Sequence, residues 1–160
     1  QDASKCTDHD TRHHCVLPQS YYDYLNRNPT TGLLIAKDDT ILFEHYQYAR
    51  TGRHPFLSQA MAKTITAMLI VIAISEGAIK SIDDMVAAYV PKLAGTEYGK
   101  TAIRDLLHMA SGVAFTENYD GNNDLSRLVA DLARKRAVDN VSQFNTRTAA
   151  PGTRFYYASC

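Results

Sequence analysis

Residues 57–77 read LSQAMAKTITAMLIVIAISEG, a run with small and polar side chains at its start and apolar ones over 67–74. The pattern predicts one long helix that ends at Gly77. Its apolar part, about a dozen residues, is too short to span a bilayer and suits the core of a soluble domain. Lys63 lies in the first turns of this helix, where an ammonium group is costly unless it has a partner or a function.

Lys63 follows Ala60 by three residues, so both side chains lie on one face of the predicted helix. A serine hydroxyl at position 60 would meet the lysine amine, and a desolvated lysine can act as the base that activates it. The N–H groups and the dipole at the helix start would stabilise a developing oxyanion. Ala60 keeps this backbone but lacks the reacting atom, and Ser58 points to another face. The alternative is that Lys63 is an ordinary surface lysine.

Residues 60–64, AMAKT, resemble the Ser-x-x-Lys element of the serine β-lactamase and penicillin-binding-protein superfamily, with Ala60 in place of the serine. The stretch is most similar to the class C β-lactamase-like branch, which includes family VIII esterases and 6-aminohexanoate-dimer hydrolases. Residues 76–91 and residues 106–113, LLHMASGV, resemble framework segments that follow this element in the superfamily.

Residues 151–159, PGTRFYYAS, resemble the Pro-Gly-x-x-hydrophobic-x-Tyr-x-Asn element that supplies the second catalytic residue of the superfamily. Tyr157 matches the tyrosine, and Ser159 stands where asparagine is commoner, as a polar partner for the substrate. The resemblance implies that Tyr157 lies near Lys63, which would favour its anionic form and let it shuttle protons. Taken alone, the aromatic run also fits core packing.

The resemblance implies an α+β fold in which an antiparallel sheet is flanked by helices and joined by a helical subdomain. The chain would divide into a tail with a short helix (1–30), a sheet hairpin (31–48), the nucleophile helix (57–77) and the helical subdomain (78–160). We expect only the N-terminal part of a β-lactamase/transpeptidase-like domain, because the third element, Lys-Thr-Gly or a relative, does not occur. The C-terminal half would then be a partner, either as a separate chain or in sequence beyond this chain.

Local signals place the remaining elements. Apolar and β-branched runs over 31–36 and 40–48 predict the two strands of the hairpin. A capping box at Ser81 and Asp84 predicts a short helix through Tyr89. Further helices are predicted over 19–28, 101–109 and 125–137, and the apolar stripe of the last consists of Leu125, Leu128, Val129, Leu132 and Ala133.

The chain has 160 residues, enough for one domain with a core, and its 17 basic and 17 acidic residues balance. That balance gives no reason to expect a nucleic-acid or membrane-surface partner. Cys6 and Cys15 could pair in an oxidising compartment, which would leave Cys160 either for an outside partner or as a buried free thiol. The start at Gln1 fits a processed secreted or periplasmic protein, or a trimmed chain.

We therefore expect a serine hydrolase that cleaves carboxylic esters, amides or β-lactams through an acyl-enzyme, in a form inactivated by Ala60. The alternatives are a natural pseudoenzyme that binds an acylated or peptidoglycan-like ligand without turnover, and a purely structural helical domain. We expect no metal or organic cofactor, because activation would come from Lys63 and Tyr157. His9 and His13 have a spacing that could hold a metal on a helix, but a disulfide-tied tail suits that segment better.

Overall fold

The structure, a computed structural model, describes residues 19–160, which fall into two compact units divided between Leu57 and Ser58. Its elements follow in this order: α1 (Gln19–Arg27), β1 (Gly32–Lys37), β2 (Thr40–Tyr46), α2 (Ala62–Ser75), α3 (Ile103–Leu107), α4 (Asp124–Asp131) and α5 (Ala137–Val141). Short 3₁₀ turns occur at Gln59–Met61, Val86–Ala88 and Pro91–Leu93. The antiparallel sheet with helices confirms the predicted α+β class.

The first unit contains the predicted hairpin. Strands β1 and β2 pair antiparallel from Gly32 opposite Tyr46 to Lys37 opposite Thr40. The second strand ends two residues earlier than predicted, because Tyr48 and Ala49 have φ angles of +57° and +58° that cannot continue a strand.

The second unit has an aromatic core. Its buried residues are Tyr98, Val113, Phe115, Leu128, Phe144 and Ala158. The rings of Phe115 and Phe144 meet edge to face with centroids 5.0 Å apart, a geometry that adds about 0.5–1.5 kcal/mol to the burial itself. This core collects residues from widely separated parts of the chain, so it anchors the loops that carry the candidate site.

Helix α2 begins later than predicted and is not buried. A 3₁₀ turn precedes it, and Gly77, at φ +75°, terminates it as expected. None of its residues is buried, and apolar side chains such as Ile65 and Leu69 are 57% and 59% exposed. The expectation of a core helix is therefore not met in the described part of the chain, because residues 19–160 do not cover this apolar surface.

The predicted capping-box helix over 81–89 is wrong. Ser81 donates its N–H to the Asp84 carboxylate at 3.1 Å, but the backbone forms a turn and only Val86–Ala88 is helical. The Val86 N–H donates to Thr101 O, and Asp84 O accepts from the Ile103 N–H. These bonds to a distant segment use the backbone groups that a helix would need, so tertiary contacts override the local signal.

Two predicted helices are shorter in the structure. The helix over 101–109 is α3, Ile103–Leu107, and it stops where Met109 takes a φ of +53°. The helix over 125–137 is α4, Asp124–Asp131, and its apolar stripe is only partly correct. Leu128 is buried, whereas Val129 and Leu132 are exposed.

Helix α5 was not predicted from the sequence. One of its residues, Asn140, is almost fully buried and donates its side-chain amide to Leu128 O at 3.0 Å.

Arg147 joins three segments of the second unit. Its guanidinium pairs with the Glu97 carboxylate at 2.5 Å and donates to Ser111 O at 2.5 Å and to Thr101 Oγ1 at 3.0 Å. The hydrogen bond from Arg147, assisted by Lys100, holds the pKa of Glu97 below its ordinary value. This network fixes the turn that contains Ser111, which borders the candidate site.

The predictions for the N-terminal tail, namely the Cys6–Cys15 pair and the spacing of His9 and His13, fall outside the described residues. Within residues 19–160, no helix has both the length and the apolar character that crossing a bilayer requires.

Candidate active site

The backbone around position 60 is a strained turn that leads into α2. Gln59 has a φ of +46°, directly before Ala60, and the Met61 N–H donates to Ser58 O at 3.0 Å. A left-handed residue other than glycine costs about 1–2 kcal/mol. Strain of this kind is typical of functional sites, and here it falls beside the predicted nucleophile position.

Lys63 and Tyr157 lie together. The Lys63 ammonium nitrogen is 5.6 Å from the centroid of the Tyr157 ring, within the range of a cation–π contact. Lys63 is half-buried and Tyr157 is 39% exposed, so the aromatic residue is not core packing. The two residues that the sequence singled out as a chemical pair are thus neighbours, while their catalytic roles stay a prediction.

The turn of residues 109–112 positions Tyr157. The Tyr156 N–H donates to Met109 O at 2.7 Å, and the Gly152 N–H donates to Ala110 O at 2.8 Å. The carbonyl groups of the framework segment at 106–113 therefore hold the irregular segment that contains Tyr157.

Gly112 allows a close approach within this turn. It has a φ of +72°, and a Cβ at this position would lie 1.9 Å from Ala149 O. Its carbonyl accepts from the N–H groups of Thr148 and Ala149 at 2.9 and 3.3 Å. Only glycine fits this conformation and this contact together.

Ser159 binds a carboxylate that the sequence did not indicate. The Glu117 side chain accepts from the Ser159 N–H at 2.8 Å and from the Ser159 hydroxyl at 2.7 Å. The Tyr119 hydroxyl donates to the same carboxylate at 3.3 Å. Glu117 lies in an irregular loop with no recognisable motif around it, so no local pattern could have identified it.

An apolar cleft of about 350 Å³ adjoins Lys63. Lys63 lines it together with Thr66, Ala67 and Ile70, which share one face of α2. Ile103, Leu106 and Met109 also line the cleft. The amine thus borders a largely apolar space.

A second cleft, of about 190 Å³, is lined by residues that include Tyr98, Ser111 and Cys160. Burial raises the pKa of Tyr98 far above its ordinary range, and the neighbouring Cys160 thiol adds to the shift. Within the described part of the chain, the Tyr98 hydroxyl makes no hydrogen bond of standard geometry. Burial also raises the pKa of the Cys160 thiol, which is free and half-buried. Over residues 19–160, no three His, Cys, Asp or Glu side chains form a group suited to a metal ion.

Comparisons with known proteins identify the family. The beta-lactamase family model matches residues 23–160. A protein of known structure assigned as a 6-aminohexanoate-dimer hydrolase, from Bacillus anthracis, has a similar fold. Its TM-score is 0.73 at 19% identity, over 98% of this chain and 42% of that chain. A protein assigned as a beta-lactamase, from Bacteroides dorei, aligns with a TM-score of 0.55 at 23% identity, over 87% of this chain and 40% of that chain.

A search of curated protein sequences gives no significant match. The chain spans about two fifths of the length of the structures that it matches. The family match covers nearly all described residues, from α1 to the segment that presents Tyr157, and it confirms the superfamily that residues 60–64 and 151–159 indicated. The chain therefore belongs to the beta-lactamase family.

Proposed function

We propose that this chain carries the N-terminal part of a serine-hydrolase active site, with Ala60 at the position of the nucleophile and Lys63 and Tyr157 as the groups that move its proton. The observation that supports this proposal is the 5.6 Å approach of the Lys63 nitrogen to the Tyr157 ring. Lys63 lies three residues after position 60 on a continuous helical segment, as a base must to reach the nucleophile.

The proposed reaction has two halves. A serine oxygen at position 60 would attack the carbonyl carbon of an ester, amide or β-lactam, and its proton would pass to the Lys63–Tyr157 pair. The same pair would return the proton to the leaving group, which leaves an acyl group on the serine. Water would then attack the acyl-enzyme by the reverse proton route and release the acid.

Ala60 lacks the hydroxyl, so we propose that this form does not form an acyl-enzyme. Intact partners around one missing oxygen favour an inactivated Ser-to-Ala form. A natural pseudoenzyme is the second candidate, because the same alanine would leave a site that binds an acylated or peptidoglycan-like ligand without turnover.

The C-terminal remainder of a β-lactamase fold is the proposed partner of α2. Ile65, Met68 and Leu69 are each more than half exposed and share one face of α2, and an exposed apolar surface of this kind normally packs against protein. The matched structures are more than twice as long as this chain, which leaves a partner of the right size, either on a separate polypeptide or in the same one. A secreted or periplasmic location remains a prediction from the sequence.

The test restores the nucleophile. Ala60→Ser, prepared together with the C-terminal half of the domain, should hydrolyse a chromogenic short-chain ester or a chromogenic cephalosporin, while the Ala60 protein should not. In the Ser form, Lys63→Met and Tyr157→Phe should each lower kcat by about 10²–10⁴-fold, the usual contribution of general acid–base catalysis. Lys92→Met is the matched control, because Lys92 is an exposed lysine outside the candidate site.

Turnover that is equal with and without Lys63 would contradict the assignment. Absence of turnover in both the Ala60 and the Ser forms would favour the pseudoenzyme, and binding of the same ester and cephalosporin would then be measured by calorimetry.

A further inference from the structure

Glu117 and Ser159 form a two-point contact. Ser159 donates its backbone N–H to one carboxylate oxygen of Glu117 at 2.8 Å and its hydroxyl to the other at 2.7 Å. An ionised carboxylate only accepts hydrogen bonds, so the serine hydroxyl must be the donor. Hydrogen bonds to a charged group are about twice as strong as neutral ones, which makes this a well-defined orientation.

The loop that carries Glu117 is held by the buried side chain before it and by hydrogen bonds to the start of α4. Phe115 is buried in the core, 2% exposed. Thr116 donates its N–H and its hydroxyl to the Asp124 carboxylate, both at 2.9 Å. The Leu125 N–H donates to Thr116 O. Glu117 is therefore presented by a loop that is tied to the start of α4.

Tyr119 extends the same cluster toward the Lys63–Tyr157 pair. Its hydroxyl donates to the Glu117 carboxylate at 3.3 Å. The negative charge of Glu117 raises the pKa of Tyr119, and Tyr157 contributes to the same shift. Glu117 is the acceptor that Ser159 and Tyr119 share.

We propose that Glu117 is a positioning residue that fixes the Ser159 hydroxyl as a hydrogen-bond acceptor toward whatever ligand occupies the site beside Lys63 and Tyr157. This inference rests on the proposed function for the identity of the site. With its proton committed to Glu117, Ser159 offers only lone pairs, so a ligand group that meets it must donate, as an N–H does. An asparagine at position 159 would offer both a donor and an acceptor. The Glu117–Ser159 pair thus explains how a serine serves at a position where asparagine is commoner in the resembling element.

The first test needs no catalytic activity. In the 160-residue chain, Glu117→Gln should move the amide proton resonance of Ser159, because the Ser159 N–H then loses a charged acceptor. Asp120→Asn is the matched control, since Asp120 is a carboxylate of the same loop that bonds Asn122 and Asn123 instead. A Ser159 amide that is insensitive to Glu117→Gln, or equally sensitive to Asp120→Asn, would overturn the proposal.

The second test uses the Ala60→Ser protein with its C-terminal half. Glu117→Gln should lower kcat/KM for an N–H-bearing amide substrate by about 10–100-fold, the range for loss of a charge-assisted hydrogen bond. The effect should vanish in a Ser159→Ala background, because Glu117 acts through Ser159. A full additive loss in the double variant would overturn the positioning role. If the Ser form shows no turnover at all, the proposed function fails, and the Ser159 amide resonance in Glu117→Gln still decides whether Glu117 holds Ser159.

Discussion

Replacing Gly112 with alanine should destabilise the second unit more than replacing Gly77 does, although the two glycines have nearly the same backbone conformation. Their φ angles are +72° and +75°. Alanine in this left-handed region costs about 1–2 kcal/mol. Alanine also lowers the conformational entropy of the unfolded chain, which offsets about 0.4–1 kcal/mol of that cost. The conformational part of the change is therefore about 1 kcal/mol at either position.

The surroundings of the two glycines differ. A Cβ on Gly77 would meet nothing within 4 Å, whereas one on Gly112 would lie 1.9 Å from Ala149 O and 2.8 Å from the carbonyl carbon. The backbone at 149 must move away, which breaks the hydrogen bonds from the Thr148 and Ala149 N–H groups to Gly112 O. Each is worth about 0.5–1.5 kcal/mol. We expect Gly112→Ala to cost about 2–4 kcal/mol and Gly77→Ala about 1 kcal/mol.

Urea unfolding followed by far-UV circular dichroism measures both values, and the slope with urea should stay unchanged. Hydrogen exchange gives a second readout, because the turn of residues 109–112 also holds the Tyr156 N–H. That amide should exchange faster in Gly112→Ala and not in Gly77→Ala. Equal losses of stability in the two variants, with equal protection of Tyr156, would refute the close approach at Gly112.

Two further predictions concern the same unit. Phe144→Ala should lower the free energy of unfolding by about 3–5 kcal/mol, because Phe144 is 4% exposed and packs edge to face in the core. Phe155→Ala, at a side chain that is 69% exposed, should change it by less than about 0.5 kcal/mol, and similar losses would contradict the core assignment. The lowered pKa of Glu97 stabilises the fold above the ordinary glutamate pKa of about 4.3, and this stabilisation is lost as pH falls through the folded value. The urea midpoints of the parent chain and Glu97→Gln should therefore converge in acid, and a constant gap from neutral to acid pH would count against the Arg147 pairing.

Local sequence was sufficient for several elements. The hairpin follows from two β-rich runs around a polar turn, and the stop of α2 follows from Gly77, because such signals depend on a few neighbouring residues. Lys63 was singled out from sequence by its place in the first turns of an apolar helix and then by its resemblance to a family element, whereas Tyr157 was identified through the resemblance alone.

Long-range contacts decided the elements that the sequence predicted incorrectly. The capping box at Ser81 is a sound local signal. However, the backbone groups of Asp84 and Val86 form hydrogen bonds with residues 101 and 103, so a turn forms in place of a helix. Too many residues of α4 were predicted to be buried, because burial depends on what packs against each face of the helix. No local pattern indicates that Val129 is exposed.

Local patterns and the family resemblance were enough to predict the superfamily, the α+β class, the apolar helix with its lysine, and a tyrosine near the end of the chain that approaches this lysine. The contacts that hold the site together were not predictable in this way: the Tyr156 N–H donates to Met109 O beside the Lys63–Tyr157 contact, and Ser159 is bound by Glu117. The difference lies in how far along the chain each interaction reaches. Periodicity and caps act over a few residues, whereas this site is assembled by hydrogen bonds between segments more than 40 residues apart in the chain.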